Sequence, residues 1–360
     1  MKIISVEAYP VTEPVLAPYA WRDGLPGSPD RYEITWLRIV TDEGIDGYSY
    51  IDRGAIAMDL IARCLRPLLV GQDPLKKELL WHRIWELDRI EELPIYVLGA
   101  ADVALWDITA KAAGLPLHVL LGGYWDSVPA YASTATFGSI EEFLDVIDQC
   151  LAYGFSAVKL HAWGDARRDA ALCQAVRDHV GPKVDLMYDA SAGFTPYDAL
   201  YVGRACEEAG FRWYEEPLRE FSISAYRRLC DALDIPVLAA ETADGCHYVA
   251  GEFILAGAAD MVRTGVDFRG ITGALRVAHL ADAFQMTAEV HGGGLPNVHL
   301  AAAIRNNSYY EAMVLTNPIT VEPGIGPDGH IRPPEDAGIG FGIDLESLRA
   351  GQSPVRAYPV

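Results

Sequence analysis

The chain of 360 residues contains no uncharged apolar run approaching the roughly 18 residues that a membrane-spanning helix needs. Its six cysteines (Cys64, Cys150, Cys173, Cys206, Cys230 and Cys246) stand far apart, with no C-x-x-C pair. That argues against a zinc site and a disulfide framework, and fits a reducing compartment. Positive charge is scarce. Lys and Arg number 29 against 50 Asp and Glu, for a net charge of −21. Phosphate backbones repel such a surface, so nucleic acid and anionic membrane are poor partners. The opening MKIISVEAYPV carries Glu7 where a secretion signal is uniformly apolar, so a cytoplasmic location is expected.

What is present is enough chain for a large barrel-type domain plus a smaller one. Residues 1–125 read as α+β. KIISVEAYPV and YEITWLRIVTDEGIDGYSYI have strand character, the latter with a turn at Asp42–Gly47. Between them residues 14–30 form a long proline-rich loop containing Tyr19, Trp21 and Arg22, and long loops in compact proteins tend to be functional. Helices follow in AIAMDLIARCLRPLLV, DPLKKELLWHRIWELD and YVLGAADVALWDITAKAAG. From 126 to 317 short apolar strands alternate with amphipathic helices, which implies parallel strands with crossover helices. The number of consecutive units favours a closed (β/α) barrel over an open sheet. The segment 318–360, rich in Gly and Pro and ending in PVRAYPV, is expected to pack back on the first domain.

Charged groups gather at the ends of these strands. SAVKLHAWGD places Lys159 and His161 two apart, on one face of an extended chain. Asp189 ends VDLMYD, Glu215 and Glu216 end FRWYEE, and Glu241 ends VLAAE, with steps of 26 residues from Asp189 to Glu215 and again to Glu241. His291 ends MTAEVH and Glu311 follows SYY. Any one acid reads equally well as a solvated loop residue or a helix N-cap. Three at equal spacing after apolar strands read as neighbours at the carboxyl ends of barrel strands, where such folds carry their active sites. Converging carboxylates raise one another's pKa, and a hard divalent cation resolves the repulsion; an all-oxygen set of Asp and Glu suits Mg²⁺. Lys159 and His161 would flank that ion on one side and His291 on the other, an arrangement suited to removing a proton next to a carboxylate.

These residues resemble those of the enolase superfamily, mandelate racemase subgroup. The likeness spans nearly the whole chain, including ALWDITAKAAGLPLHVLLGG (104–123), WYEEPL (213–218), IPVLAAET (235–242) and GITG (270–273). It implies an α/β fold, a modified (β/α)7β barrel capped by an α+β domain built from both termini, with the cap at 1–125 plus 318–360 and the barrel at 126–317. It implies Mg²⁺ on Asp189, Glu215 and Glu241. Lys159 matches the first lysine of the family's Lys-x-Lys, His161 stands where the second usually is, and His291 matches the base on the opposite face. Glu311 matches an acid that hydrogen-bonds the substrate carboxylate, for which it must be protonated or bridge through a donor. Trp21 and Arg22 of the cap loop, with the YSYIDRG stretch (48–54), would close over the rest of the substrate.

One departure shapes the functional expectation. A histidine base in this family is paired with an aspartate at the end of the preceding strand. In DMVRTGVDFRGITG that position falls on Thr264 or Gly265, and Asp267 is expected in the turn beyond. A histidine without its partner fits elimination better than racemisation, which needs two competent bases. The expectation is a Mg²⁺-dependent dehydratase of an aldonate or aldarate, with Lys159 or His161 as base, His161 foremost, and His291 as acid. The alternatives are a racemase or epimerase of a hydroxy acid with His161 and His291 opposed, and an inactive sugar-acid-binding protein. The expected partner is a small acid sugar, with a homo-oligomer by analogy.

Overall fold

The computed structural model describes residues 1–15 and 17–355. The chain opens with a three-stranded antiparallel sheet, β1 (Ile3–Pro14), β2 (Arg31–Thr41) and β3 (Asp46–Ile51), in that order. Central β2 buries four consecutive residues, Ile34 to Leu37, as a strand covered on both faces does. Helices follow: α1 (Gly54–Leu60), a π-helical stretch (Ile61–Leu65), α2 (Arg66–Leu69), α3 (Lys77–Glu91), α4 (Ile95–Ala113) and α5 (Leu117–Leu120). Helix α4 is apolar around most of its circumference because β3 covers one side and the barrel the other. At Gly47 of β3 a Cβ would fall 2.0 Å from the Ala104 carbonyl oxygen, so only glycine permits that approach. The helix stops at Gly114, in the left-handed conformation, with Pro116 behind it.

Eight parallel strands then alternate with helices: β4 (Val128–Thr134), α6 (Ile140–Tyr153), β5 (Ala157–His161), α7 (Ala166–Val180), β6 (Asp185–Asp189), α8 (Pro196–Glu208), β7 (Trp213–Glu215), α9 (Ile223–Cys230), β8 (Val237–Ala239), α10 (Cys246–Ala256), β9 (Met261–Thr264), α11 (Val266–Ala283), β10 (Ala288–Val290), α12 (Leu295–Ala303) and β11 (Tyr310–Val314). The order β10-β9-β8-β7-β6-β5-β4-β11 is that of seven β/α units and a last strand, curled into a barrel. Helix α6 shows why the segments fold as they do. The Ser139 hydroxyl accepts from Glu142 N at its start, and Phe143, Val146, Ile147 and Cys150 line one buried stripe. Full burial of each large apolar side chain is worth roughly 1.5–3 kcal/mol.

Strands β10 and β11 share no ladder. One backbone bond, Ala288 N to Asn306 O (2.8 Å), and several side chains close the ring there: Ser308 Oγ donates to Glu289, Val290 N to Asn307 Oδ1 (2.9 Å) and Gly292 N to Glu311 Oε2 (2.7 Å). Inside the barrel the period of two builds layers. Tyr131, Ala157, Met187, Trp213, Leu238 and Met261 form an apolar floor. Two residues further on, the same faces carry Ser133, Lys159, Asp189, Glu215 and Arg263.

After the barrel, β12 (His330–Ile331) pairs antiparallel with β4, Gly338 bridges Pro116, and Phe341 packs edge-on against Trp36 of the first sheet, centroids 5.4 Å apart; α13 (Leu345–Arg349) follows. The strand expected at PVRAYPV lies mostly outside the described residues. Helix α10 has no counterpart in the sequence reading: its N-cap is Gly245, and its residues are apolar on every side, so neither capping nor periodicity marks it. Helix α11 is broken at Gly270, where φ is 65°, and resumes beyond it. Among the described residues no helix is long and apolar enough to cross a membrane.

Candidate active site

Pairing sets His161, Asp189 and Glu215 side by side on β5, β6 and β7. Equal spacing in sequence does not put Glu241 at the same level. Glu215 pairs with Leu238, so Glu241 lies three residues further along, past the end of β8. The chain turns there through Ala240, at φ 72°, an uncommon conformation outside glycine. Two groups hold the turn. Arg269 Nη2 donates to the carbonyls of Ala240 and Glu241, 2.6 Å each, and Glu216 Oε1 accepts from Glu241 N at 3.2 Å. Burial holds Glu216 well above the usual carboxyl range. The second glutamate of the pair thus supports the backbone of the third acid.

One carboxylate oxygen from each of Asp189, Glu215 and Glu241 lies within 4.8 Å of the others. All the donors are hard oxygens, which suits magnesium. Glu215 Oε1 is buried and accepts no well-directed hydrogen bond, its near neighbour being the Arg263 guanidinium, and burial together with Asp189 pushes Glu241 up to about 7. Four carboxylates, counting Glu311, surround two cations, Lys159 and Arg263; the formal excess of two negative charges matches a divalent ion. The residues present fit the magnesium that the fold family uses.

Lys159 Nζ lies 3.3 Å from Asp189, 3.0 Å from Glu215 and 2.7 Å from Glu311. Burial opposes its charge, but Glu215 and Glu311 outweigh it and keep the ammonium. Arg263 was not among the expected site residues. It is fully buried, with Nε 2.7 Å from Glu215 Oε1 and Nη2 reaching Glu311 Oε2 at 2.5 Å and Tyr131 Oη at 2.8 Å. Its signal was the one that exposed Lys159, a cation inside an apolar strand. Of the two states expected for Glu311, protonated or bridging through a donor, its surroundings favour the second. Ser133 Oγ and Gly292 N also donate to it, and against the cost of burial Arg263 and Lys159 hold it far below the usual carboxyl range. It is a saturated carboxylate, not a protonated donor.

His161 is buried with both ring nitrogens engaged, Nδ1 with Thr134 O at 2.8 Å and Nε2 with Asp189 Oδ2 at 3.0 Å. Trp21 covers it, ring centroids 4.6 Å apart. Arg22 binds two backbone carbonyls, Ser191 O at 3.0 Å and Asp23 O at 2.9 Å, and so ties the cap loop to the β6–α8 turn. His291 stands at the other flank, Nδ1 3.4 Å from Glu241 and 3.5 Å from Glu311 but without a hydrogen bond. Burial, helped by Arg263, holds it below the usual imidazole value, while Glu311 and Asp267 pull the other way. Gly265 lies against it: a Cβ there would sit 3.3 Å from His291 Cβ. Asp267, in the first turn of α11, lines the same cavity as His291.

That cavity, about 280 Å³, lies between cap and barrel and is sized for a small molecule. Tyr19, Trp21, Tyr32 and Tyr50 give it an aromatic wall; Asp52, Asp267 and Glu322 contribute carboxyls; His291 and Gly292–Gly294 form the end nearest the acids.

Comparison with known proteins agrees with this architecture. An enolase C-terminal domain-like model matches residues 142–348, and a mandelate racemase / muconate lactonizing enzyme N-terminal domain model matches 27–122. The chain is 30% identical to a D-galactarolactone cycloisomerase of Agrobacterium fabrum, covering 82% of this chain and 79% of that one. It is 29% identical to an arabinonate dehydratase of Saccharolobus solfataricus, with 86% and 88% covered. A crystal structure of D-glucarate dehydratase from Agrobacterium tumefaciens complexed with magnesium superposes with a TM-score of 0.88 at 32% identity, covering 97% of this chain and 98% of that one.

Proposed function

The chain belongs to the enolase superfamily, in its mandelate racemase subgroup, and on that footing we propose that it is a magnesium-dependent sugar-acid dehydratase. It would remove the proton α to the carboxylate and expel the β-hydroxyl, leaving a 2-keto-3-deoxy acid. The observation that carries the reading is the convergence of Asp189, Glu215 and Glu241 between Lys159 on one flank and His291 on the other. Sugar-acid dehydratases among the relatives support it.

Bound magnesium supplies positive charge where the substrate carboxylate gathers electrons as its α-proton leaves. Lys159 adds a fixed ammonium to the same end, and Arg263 keeps Glu311 and Glu215 in place. His291 is the flanking group that lines the cavity, and its Nδ1 makes no hydrogen bond. We assign it the α-proton. The C–H electron pair becomes the new C=C bond, the β C–O bond breaks, and the imidazolium returns its proton to the departing hydroxyl, which leaves as water. The enol then becomes the ketone. His161, engaged at both nitrogens, orients Asp189.

The test is a screen of acid sugars with magnesium, read as keto-acid formation. Turnover of at least one with loss of water is expected; no product from any acid would end the proposal. The cycloisomerase relative puts sugar lactones in the same screen, and ring opening without loss of water would assign that activity instead.

A further inference from the structure

The similar proteins act on two kinds of acid, since arabinonate has one carboxylate and glucarate has two. The cavity wall distinguishes them. Among the described residues its lining includes Asp52, Asp267 and Glu322 but no lysine or arginine. The basic side chains nearby are committed elsewhere. Arg22 holds Ser191 O and Asp23 O, Arg53 donates to Asp52 O, and Lys159 and Arg263 are buried among carboxylates below. The inner end is charge-balanced by one divalent ion, so it serves one substrate carboxylate. A second carboxylate along this wall would face Asp52, or Asp267 and Glu322 beside Gly292–Gly294, with no lysine or arginine in the lining to pair with it.

On the sugar-acid reading above, we infer that the substrate is a monocarboxylic sugar acid whose far end carries hydroxyl groups rather than a second carboxylate. Hydroxyls donate to carboxylate oxygens, which accept only. The C–H faces of such a chain find apolar cover on Tyr19, Trp21, Tyr32 and Tyr50. The preference is set by repulsion of the wrong ligand as much as by attraction of the right one.

Matched pairs test the inference: gluconate with glucarate, galactonate with galactarate, arabinonate with arabinarate. Each is assayed for kcat/KM with magnesium and for the rise in melting temperature on binding. In every pair with a reactive member the monoacid is expected to be favoured by about a hundredfold or more, and to give the larger thermal shift. A diacid that reacts or binds as well as its partner overturns this inference and leaves the dehydratase reading standing. An enzyme that neither binds nor converts any of the six loses both. Asp52→Arg places a cation at the far end and is expected to narrow the monoacid preference by about tenfold or more. An unchanged ratio in the folded variant would remove the far end from this wall.

Discussion

Arg263 on β9 and Glu311 on β11 meet at 2.5 Å, reaching across the intervening strand β10. With Lys159 they form the electrostatic centre of the barrel, and each is at most 1% exposed. Arg263→Met leaves Glu311 and Glu215 sharing the single charge of Lys159. A loss of about 3–5 kcal/mol in chemical denaturation is expected, as when one partner of a buried pair is removed. Arg263→Lys should recover only part of it, because one ammonium cannot face Glu215 and Glu311 together. A fully stable Arg263→Met protein would show that the pair holds nothing.

Magnesium should stabilise the native protein, by about 2.7 kcal/mol when present at a hundred times its dissociation constant. Glu241→Gln changes the acid that lies outside the deepest charge cluster, at 14% exposure, and should fold. It is expected to lose magnesium binding in calorimetry. Binding of wild-type strength by this variant would move the metal elsewhere.

His291→Asn should leave magnesium binding nearly intact and reduce kcat by about a hundredfold or more, the usual weight of one positioned proton carrier. In D₂O the wild-type enzyme should place deuterium in the keto-acid product. Recovery of inverted, deuterated substrate without keto acid would favour an epimerase.

Stability should depend on pH through Asp102, far from the acids of the barrel mouth. This residue of α4 accepts from Thr272 N and Oγ1 of α11, 2.7 Å each, joining cap to barrel. Burial pushes it from 3.8 up to about 7. The folded protein therefore keeps a proton that the unfolded chain releases between those values. Its contribution is complete below about pH 4 and declines by roughly 4 kcal/mol as pH rises through about 7. Asp102→Asn cannot titrate, so the stability of wild type relative to the variant should fall by that amount between these limits. A difference independent of pH would be the contrary result.

Much of this arrangement was legible in the chain. The alternation of short apolar strands with amphipathic helices gave the barrel, because both periods survive burial. The strand-end acids were visible because charge after an apolar run has few structural uses. What was hidden came from the third dimension. The stretch DMVRTGVDFRGITG was read for a missing aspartate, yet its two arginines are fully buried, Arg263 among the acids and Arg269 on the Glu241 turn. No local pattern reveals that the acids facing Arg263 most closely, Glu215 and Glu311, each lie 48 residues away. The state of Glu311, left open between protonated and donor-bridged, follows from Arg263. The level of Glu241 depended on a backbone turn at Ala240 that residue counting cannot see.

The last joint of the barrel is fastened largely by side chains, and Glu311 is both one of its rivets and, on the proposed reaction, part of its centre. Chemistry and architecture are therefore written in the same residue. Sequence drift there would loosen the ring while altering the reaction. The cap loop closes no ring, so descendants of this protein could take up new substrates by rewriting Tyr19, Trp21 and their neighbours while the inherited proton chemistry stayed fixed.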